Sequence, residues 1–175
     1  MMHGRFYLDN KKVFTNQKCF IISSDDYYLL GVLNSQPIWS YLQSKVVTFG
    51  DPDKHGRLEP RREDILGLPI PDAPQRERDA VARLAEQAQT LHTWRRARVE
   101  QILREIGIDP ARSTSRNPLE QPWSLTIEEF KRRVGRIASA SIFNAAHEET
   151  YAVTEQIQSV EVEIDERVKG LYGVG

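Results

Sequence analysis

With 175 residues, 20.2 kDa, 39% hydrophobic and 28% charged residues, the chain has apolar material for one ordinary domain, or for a small domain with a helical extension. This excludes two full enzyme domains and intrinsic disorder as the default. The 24 basic and 25 acidic residues nearly cancel, so bulk charge does not announce a nucleic-acid partner.

No apolar run approaches the roughly 18 residues needed to cross a bilayer, and Met1 to Asn10 lacks the basic-then-apolar pattern of a signal peptide. The expectation is a soluble, cytoplasmic protein with no membrane partner. The single cysteine, Cys19, cannot form an internal disulfide, and in the run Cys19-Phe20-Ile21-Ile22 it reads as a small buried hydrophobe, not a nucleophile.

The first seventy residues predict a mixed α/β unit. Phe6-Tyr7-Leu8 and Lys18-Cys19-Phe20-Ile21-Ile22 have strand composition, with polar turn material between them. Ser24 and Asp25 offer N-cap chemistry for a helix carrying Tyr28, Leu29, Val32 and Leu33 at three- and four-residue spacing, which stops at Asn34-Ser35. Pro37 opens a second helical segment with Ile38, Trp39, Tyr41 and Leu42, reaching about Lys45. Val46-Val47-Thr48-Phe49 is a further strand candidate, the segment 50–56 is a glycine- and proline-bearing loop, and Leu68-Pro69-Ile70-Pro71 closes the unit as an extended edge.

From Pro74 the composition turns helical. Val81, Leu84, Ala88, Leu91, Val99, Ile102 and Ile106 form a narrow apolar stripe over about 74–106, ended by Gly107 and Pro110. The segment from Pro110 to Pro122 is linker-like, and Thr126 with Glu129 makes a capping-box pattern for a helix over about 126–138. A last helix over about 143–170 repeats the stripe at Val153, Ile157, Val160, Ile164, Val168 and Leu171, and is expected to pair antiparallel with 74–106, in this chain or across a homodimer. The fold class this implies is α+β, with a target-recognition-like α/β unit over 1–73 and a helical extension over 74–175. Charge is uneven along it: 111–144 carries six basic and three acidic residues, 145–175 two and seven. The simplest account is helices packed with complementary faces.

Catalytic patterns are missing. The four histidines (His3, His55, His92, His147) lack metal-ligand spacing, and no glycine-rich phosphate loop is present. The acids Asp51, Asp53, Glu59, Glu63 and Asp64 could hold a divalent metal, but they interleave with Lys54, Arg57, Arg61 and Arg62 and read better as a salt-bridged surface. What remains is a polar and basic set on the loops of the first unit: Lys11, Lys12, Asn16, Lys18, Lys54, His55, Arg57, Arg61 and Arg62. Lysine and arginine pair with phosphate, arginine also reads guanine edges and asparagine adenine, so this set is the candidate DNA-binding surface.

Three strings carry a resemblance. Tyr27-Tyr28-Leu29-Leu30-Gly31-Val32-Leu33-Asn34-Ser35 with Ile38-Trp39-Ser40-Tyr41-Leu42, then Ile65-Leu66-Gly67-Leu68-Pro69-Ile70-Pro71, and finally the ending Ile164 to Gly173 with Leu171-Tyr172-Gly173, resemble the TaqI-like C-terminal specificity domain of adenine-N6 DNA methyltransferases, including fused type IIG restriction enzymes. Type I specificity subunits are more distant relatives. The resemblance implies that these strings are scaffold and that neighbouring loops read duplex DNA while a target adenine is flipped into a separate catalytic domain. The methyltransferase tetrapeptide is absent, since Asn117-Pro118-Leu119-Glu120 lacks its second proline and aromatic. S-adenosylmethionine, and magnesium where a nuclease accompanies it, would therefore belong to the parent protein's other domains, with no cofactor in this chain. The competing expectation is a helical dimerisation module without DNA binding.

Overall fold

The computed structural model describes residues 6–9, 21–46, 48–49, 57–58, 60–114, 116–135 and 140–173. In order these form α1 (Tyr27–Asn34), α2 (Gln36–Lys45), a two-residue antiparallel ladder of β1 (Thr48–Phe49) and β2 (Arg57–Leu58), α3 (Arg62–Leu66), α4 (Gln75–Glu105), α5 (Ile127–Val134) and α6 (Ala140–Leu171). A two-residue ladder makes no layer, and the rest of the regular structure is helical, so the fold is all-α rather than the α+β expected from sequence.

The expected strands account for the error. Neither residues 6–9 nor Ile21–Ile22 form part of a strand, and the Ile21 side chain is 78% exposed. Residues 10–20 lie outside the described residues. The extended Leu68-Pro69-Ile70-Pro71 segment is likewise no strand; its two prolines each remove a ladder donor.

Helix boundaries follow local chemistry. Asp26 caps α1, its Oδ1 accepting from the Tyr28 amide at 2.8 Å. Pro37 sits in the first turn of α2, where its missing N–H is harmless. The C-terminus of α4 is a Schellman turn: Gly107 takes φ 78°, and the Ile108 amide donates back to the Leu103 carbonyl at 2.8 Å. Thr126 and Glu129 close a reciprocal capping box on α5.

The chain divides into two compact units. Unit 1 comprises 1–87 and 160–175, unit 2 comprises 88–159, and both α4 and α6 contribute to each. The core of unit 1 gathers Tyr28, Val32 and Ile38 from the first two helices with Val81 of α4 and Ile164 and Val168 of α6, all buried. That of unit 2 gathers Val99, Leu103 and Ile106 of α4 around Phe130 of α5 and Phe143 of α6, whose rings lie 5.2 Å apart and tilted by 51°. Within unit 2, Arg95 donates to Thr154 at 2.9 Å and Arg98 pairs with Glu149 at 2.5 Å, the register of antiparallel helices.

The stretch 110–122 corrects a second expectation. It is not a linker: short 3-10 turns at Pro110–Arg112, Pro118–Glu120 and Pro122–Ser124 fold it inward, and Leu119, Pro122 and the following Leu125 are buried in unit 2. Its proline and serine content signalled turns, and the leucines between them carry the packing.

Candidate functional site

The residues of the first string have physical duties in unit 1. Gly31 lies where α1 crosses α4: a Cβ there would stand 2.7 Å from Val81 Cγ1 and 3.3 Å from Ala85 Cβ, so only hydrogen fits. Asn34 uses its amide as a strand would, donating to the Phe6 carbonyl at 3.0 Å and accepting from the Phe6 amide at 2.9 Å. Ser35, fully buried, donates its hydroxyl to the Val32 carbonyl at 2.6 Å and so satisfies an end of α1 that water cannot reach.

Two tyrosines hold the closing segment. The buried Tyr28 hydroxyl donates to the Pro71 carbonyl at 2.6 Å, and the Tyr172 hydroxyl donates to that of Pro69. Arg78 of α4 lies 4.5 Å over the Tyr28 ring while pairing with Asp26 at 3.3 Å, joining the α1 cap, the ring and the start of α4. Burial is the main force raising the Tyr28 hydroxyl above its ordinary range, opposed by Arg78 and assisted by Asp72 and Asp26. Burial, with a smaller contribution from Tyr28, does the same for Tyr172.

A stability prediction follows from the bond to Pro71. The folded state favours the protonated phenol, so the Tyr28 contribution is fully present below the unfolded value of about 10 and is lost as pH rises through the higher folded value. Tyr28→Phe is expected to lower stability by about 1 kcal/mol at neutral pH. Urea midpoints measured between pH 7 and 11 should show the gap between the two proteins constant up to about pH 10 and narrowing above it; a gap unaffected by alkali would refute the assignment.

Between α2, the closing segment and the end of α6 lies a cleft of about 660 Å³, lined chiefly by Pro37, Ile38, Tyr41, Pro69, Lys169 and Tyr172. Asp165 of α6 stands at its edge and accepts from the Gln36 amide at 2.7 Å, capping α2 across 129 positions of sequence. Ser40 accepts from the Gln36 side chain at 3.1 Å. The cleft offers aromatic and proline faces, and of its two lining carboxylates, Asp165 and Glu166, the first is committed to a helix end, an arrangement for packing against an apolar group.

Of the nine candidate DNA-binding residues, Lys11, Lys12, Asn16, Lys18, Lys54 and His55 lie outside the described residues. Arg57 is on β2, and Arg61 and Arg62 start α3 as exposed neighbours. Of the acids weighed as metal ligands, Asp64 accepts from the Arg61 amide at 2.6 Å and so serves the start of α3. Among the described residues no group of three or more histidines, cysteines or acids is placed to hold a metal, and no helix is long and apolar enough to cross a membrane. Sequence reasoning missed the cleft, although Pro69 and Tyr172 both stood in strings already singled out; their mutual contact across 103 positions left no local trace. Comparison with family models, with curated proteins and with solved structures finds no match to this chain.

Proposed function

We propose that the chain is a DNA target-recognition region, the C-terminal specificity part of an adenine-N6 methyltransferase of the type IIG kind, acting on double-stranded DNA beside a catalytic domain of the parent protein. The observation that supports this reading is the meeting of all three resemblance strings in unit 1. Tyr28 and Tyr172, from the first and last of them, both donate to carbonyls of the middle one, at Pro71 and Pro69. The strings thus form one scaffold, and the basic candidates Arg57, Arg61 and Arg62 lie in sequence between its first and middle strings. Lysine and arginine of the loops would hold phosphates while asparagine and arginine read base edges. S-adenosylmethionine, and any magnesium, would serve the catalytic domain, and no residue of this chain is assigned to either.

The test is selection from a random-sequence duplex pool at low and moderate salt. Enrichment of a short common sequence, lost when Lys54, Arg57 and Arg61 are neutralised, is the expected result. No retention of duplex even at low salt would overturn the reading. The second reading, a helical interaction module, is favoured by the exposed Trp94, Tyr151 and Val162 on the long helices. A dimer in solution with no duplex affinity would establish it.

A further inference from the structure

The arginines of the long helices are largely taken up by carboxylates. Arg78 meets Asp26, Arg96 meets Glu100 and Glu120, Arg98 meets Glu105 and Glu149, Arg104 meets Glu100, and Arg167 meets Glu77 and Glu163. Of the α6 carboxylates, Glu149 meets Arg98 of α4, Glu163 meets Arg167 of α6 itself and Asp165 caps α2.

Two of the three acids of the basic segment 111–144 have structural duties. Glu120 is buried and bound by Arg96 at 2.5 Å, and Glu129 closes the α5 capping box, its carboxyl held below the ordinary range chiefly by the Thr126 amide. Lys131, Arg132 and Arg133, consecutive in the last turn of α5, are all exposed, and none has a carboxylate within ion-pair distance among the described residues. Arg133 donates to the Glu129 carbonyl of its own helix, at 3.2 Å. The turn is nonetheless rigidly mounted, since Phe130 beside it is fully buried and Val134 packs on the same core. One cation suffices to complement a helix C-terminus; Arg132 and Arg133 also act on the Glu129 carboxylate, but the three exposed cations outnumber the two acids of α5 and leave net positive charge on a fixed turn for an extended polyanion.

We infer that Lys131, Arg132 and Arg133 grip the phosphate backbone of duplex DNA, a sequence-independent contact on unit 2 additional to the base-reading loops of unit 1. The inference rests on the target-recognition reading and supplies it with a partner surface. Guanidinium and ammonium groups bind phosphate through charge-assisted hydrogen bonds, and each phosphate neutralised releases condensed counterions.

The experiment compares the full chain with its K131Q/R132Q/R133Q variant in duplex binding between 50 and 200 mM salt, on random and on selected sequences. Loss of two to three phosphate contacts lowers the salt exponent by about 2 to 3, so that the unsubstituted chain loses about 10- to 40-fold more affinity over that range than the variant. The sequence enriched from a random pool should be unchanged, and K131R/R132K/R133K should restore the exponent, since phosphate gripping needs the charge. Identical exponents for chain and glutamine variant would overturn the inference while leaving target recognition standing, as would an altered consensus, which would make the turn a base reader. A lowered exponent without any sequence enrichment would support the phosphate grip and show that base reading requires the parent protein's catalytic domain. No binding by the unsubstituted chain would overturn both.

Discussion

Replacing Phe130 by alanine is expected to destabilise unit 2 by about 3–5 kcal/mol, the range for a fully buried aromatic truncated in a close-packed core. Phe130 is the point at which α4, α5, α6 and the turns of 110–124 meet: its ring tilts against Phe143 and the same cluster contains Leu103, Leu119 and Leu125. α5 has a short apolar face and depends on this contact, because an eight-residue helix is marginal in water without tertiary packing. Against a domain stability of about 5–15 kcal/mol, such a loss is a large fraction of the whole. Trp123 packs on the same cluster, so denaturation followed by tryptophan fluorescence should report it directly. A loss below about 1 kcal/mol would show that the cluster collapses around the missing ring or does not exist as described.

The second large effect is expected at Gly31, where two opposing terms meet. Alanine in mid-helix is favoured over glycine by up to about 1 kcal/mol, so at an open position Gly31→Ala would stabilise. Here the new methyl would stand 2.7 Å from Val81 Cγ1, and Val81 is fully buried and, being β-branched, confined to one rotamer in a helix. The methyl cannot swing aside, and overpacking of this kind costs about 1–3 kcal/mol or more. The expected net effect is a loss of about 1–2 kcal/mol. The decisive measurement is a double-mutant cycle: with Val81→Ala the obstructing carbon is gone, and Gly31→Ala should become neutral or stabilising. Additive effects of the two substitutions would rule out the contact as the reason for the glycine.

Residues whose role is local announced themselves in the sequence. The capping box of Thr126 and Glu129, the first-turn proline of α2 and the stop at Gly107 all act within a few positions, and each element end falls close to where that chemistry placed it. The long helices were equally legible, because Val81, Val99, Ile102, Ile157, Ile164 and Val168 carry the periodicity and are all buried. The sheet was not legible for the converse reason: a strand is completed by a distant partner, which β-type composition at Phe6-Tyr7-Leu8 and Ile21-Ile22 does not specify, and neither run forms a strand. Phe6 is engaged instead by the side chain of Asn34, which no strand propensity could foretell. Burial of Leu119 and Leu125 was hidden by the prolines and polar residues around them. In the candidate site, the loop cations are visible as composition, whereas the mounting of Lys131, Arg132 and Arg133 on a turn fixed by Phe130 depends on the tertiary packing of α5.

The division into units also fixes an order of events during synthesis. Unit 2 is one uninterrupted stretch, 88–159, whereas unit 1 needs 160–175 to complete what 1–87 begins. On a ribosome adding about 5–20 residues each second, the later-made unit has all its parts first. The earlier-made one waits for Asp165 to cap α2 and for Tyr172 to tie down Pro69. The amino-terminal half therefore finishes last. A released chain truncated before residue 160 would carry every segment of unit 2 and leave unit 1 without Asp165 and Tyr172, with the apolar side of α1 and α2 left for a chaperone to cover.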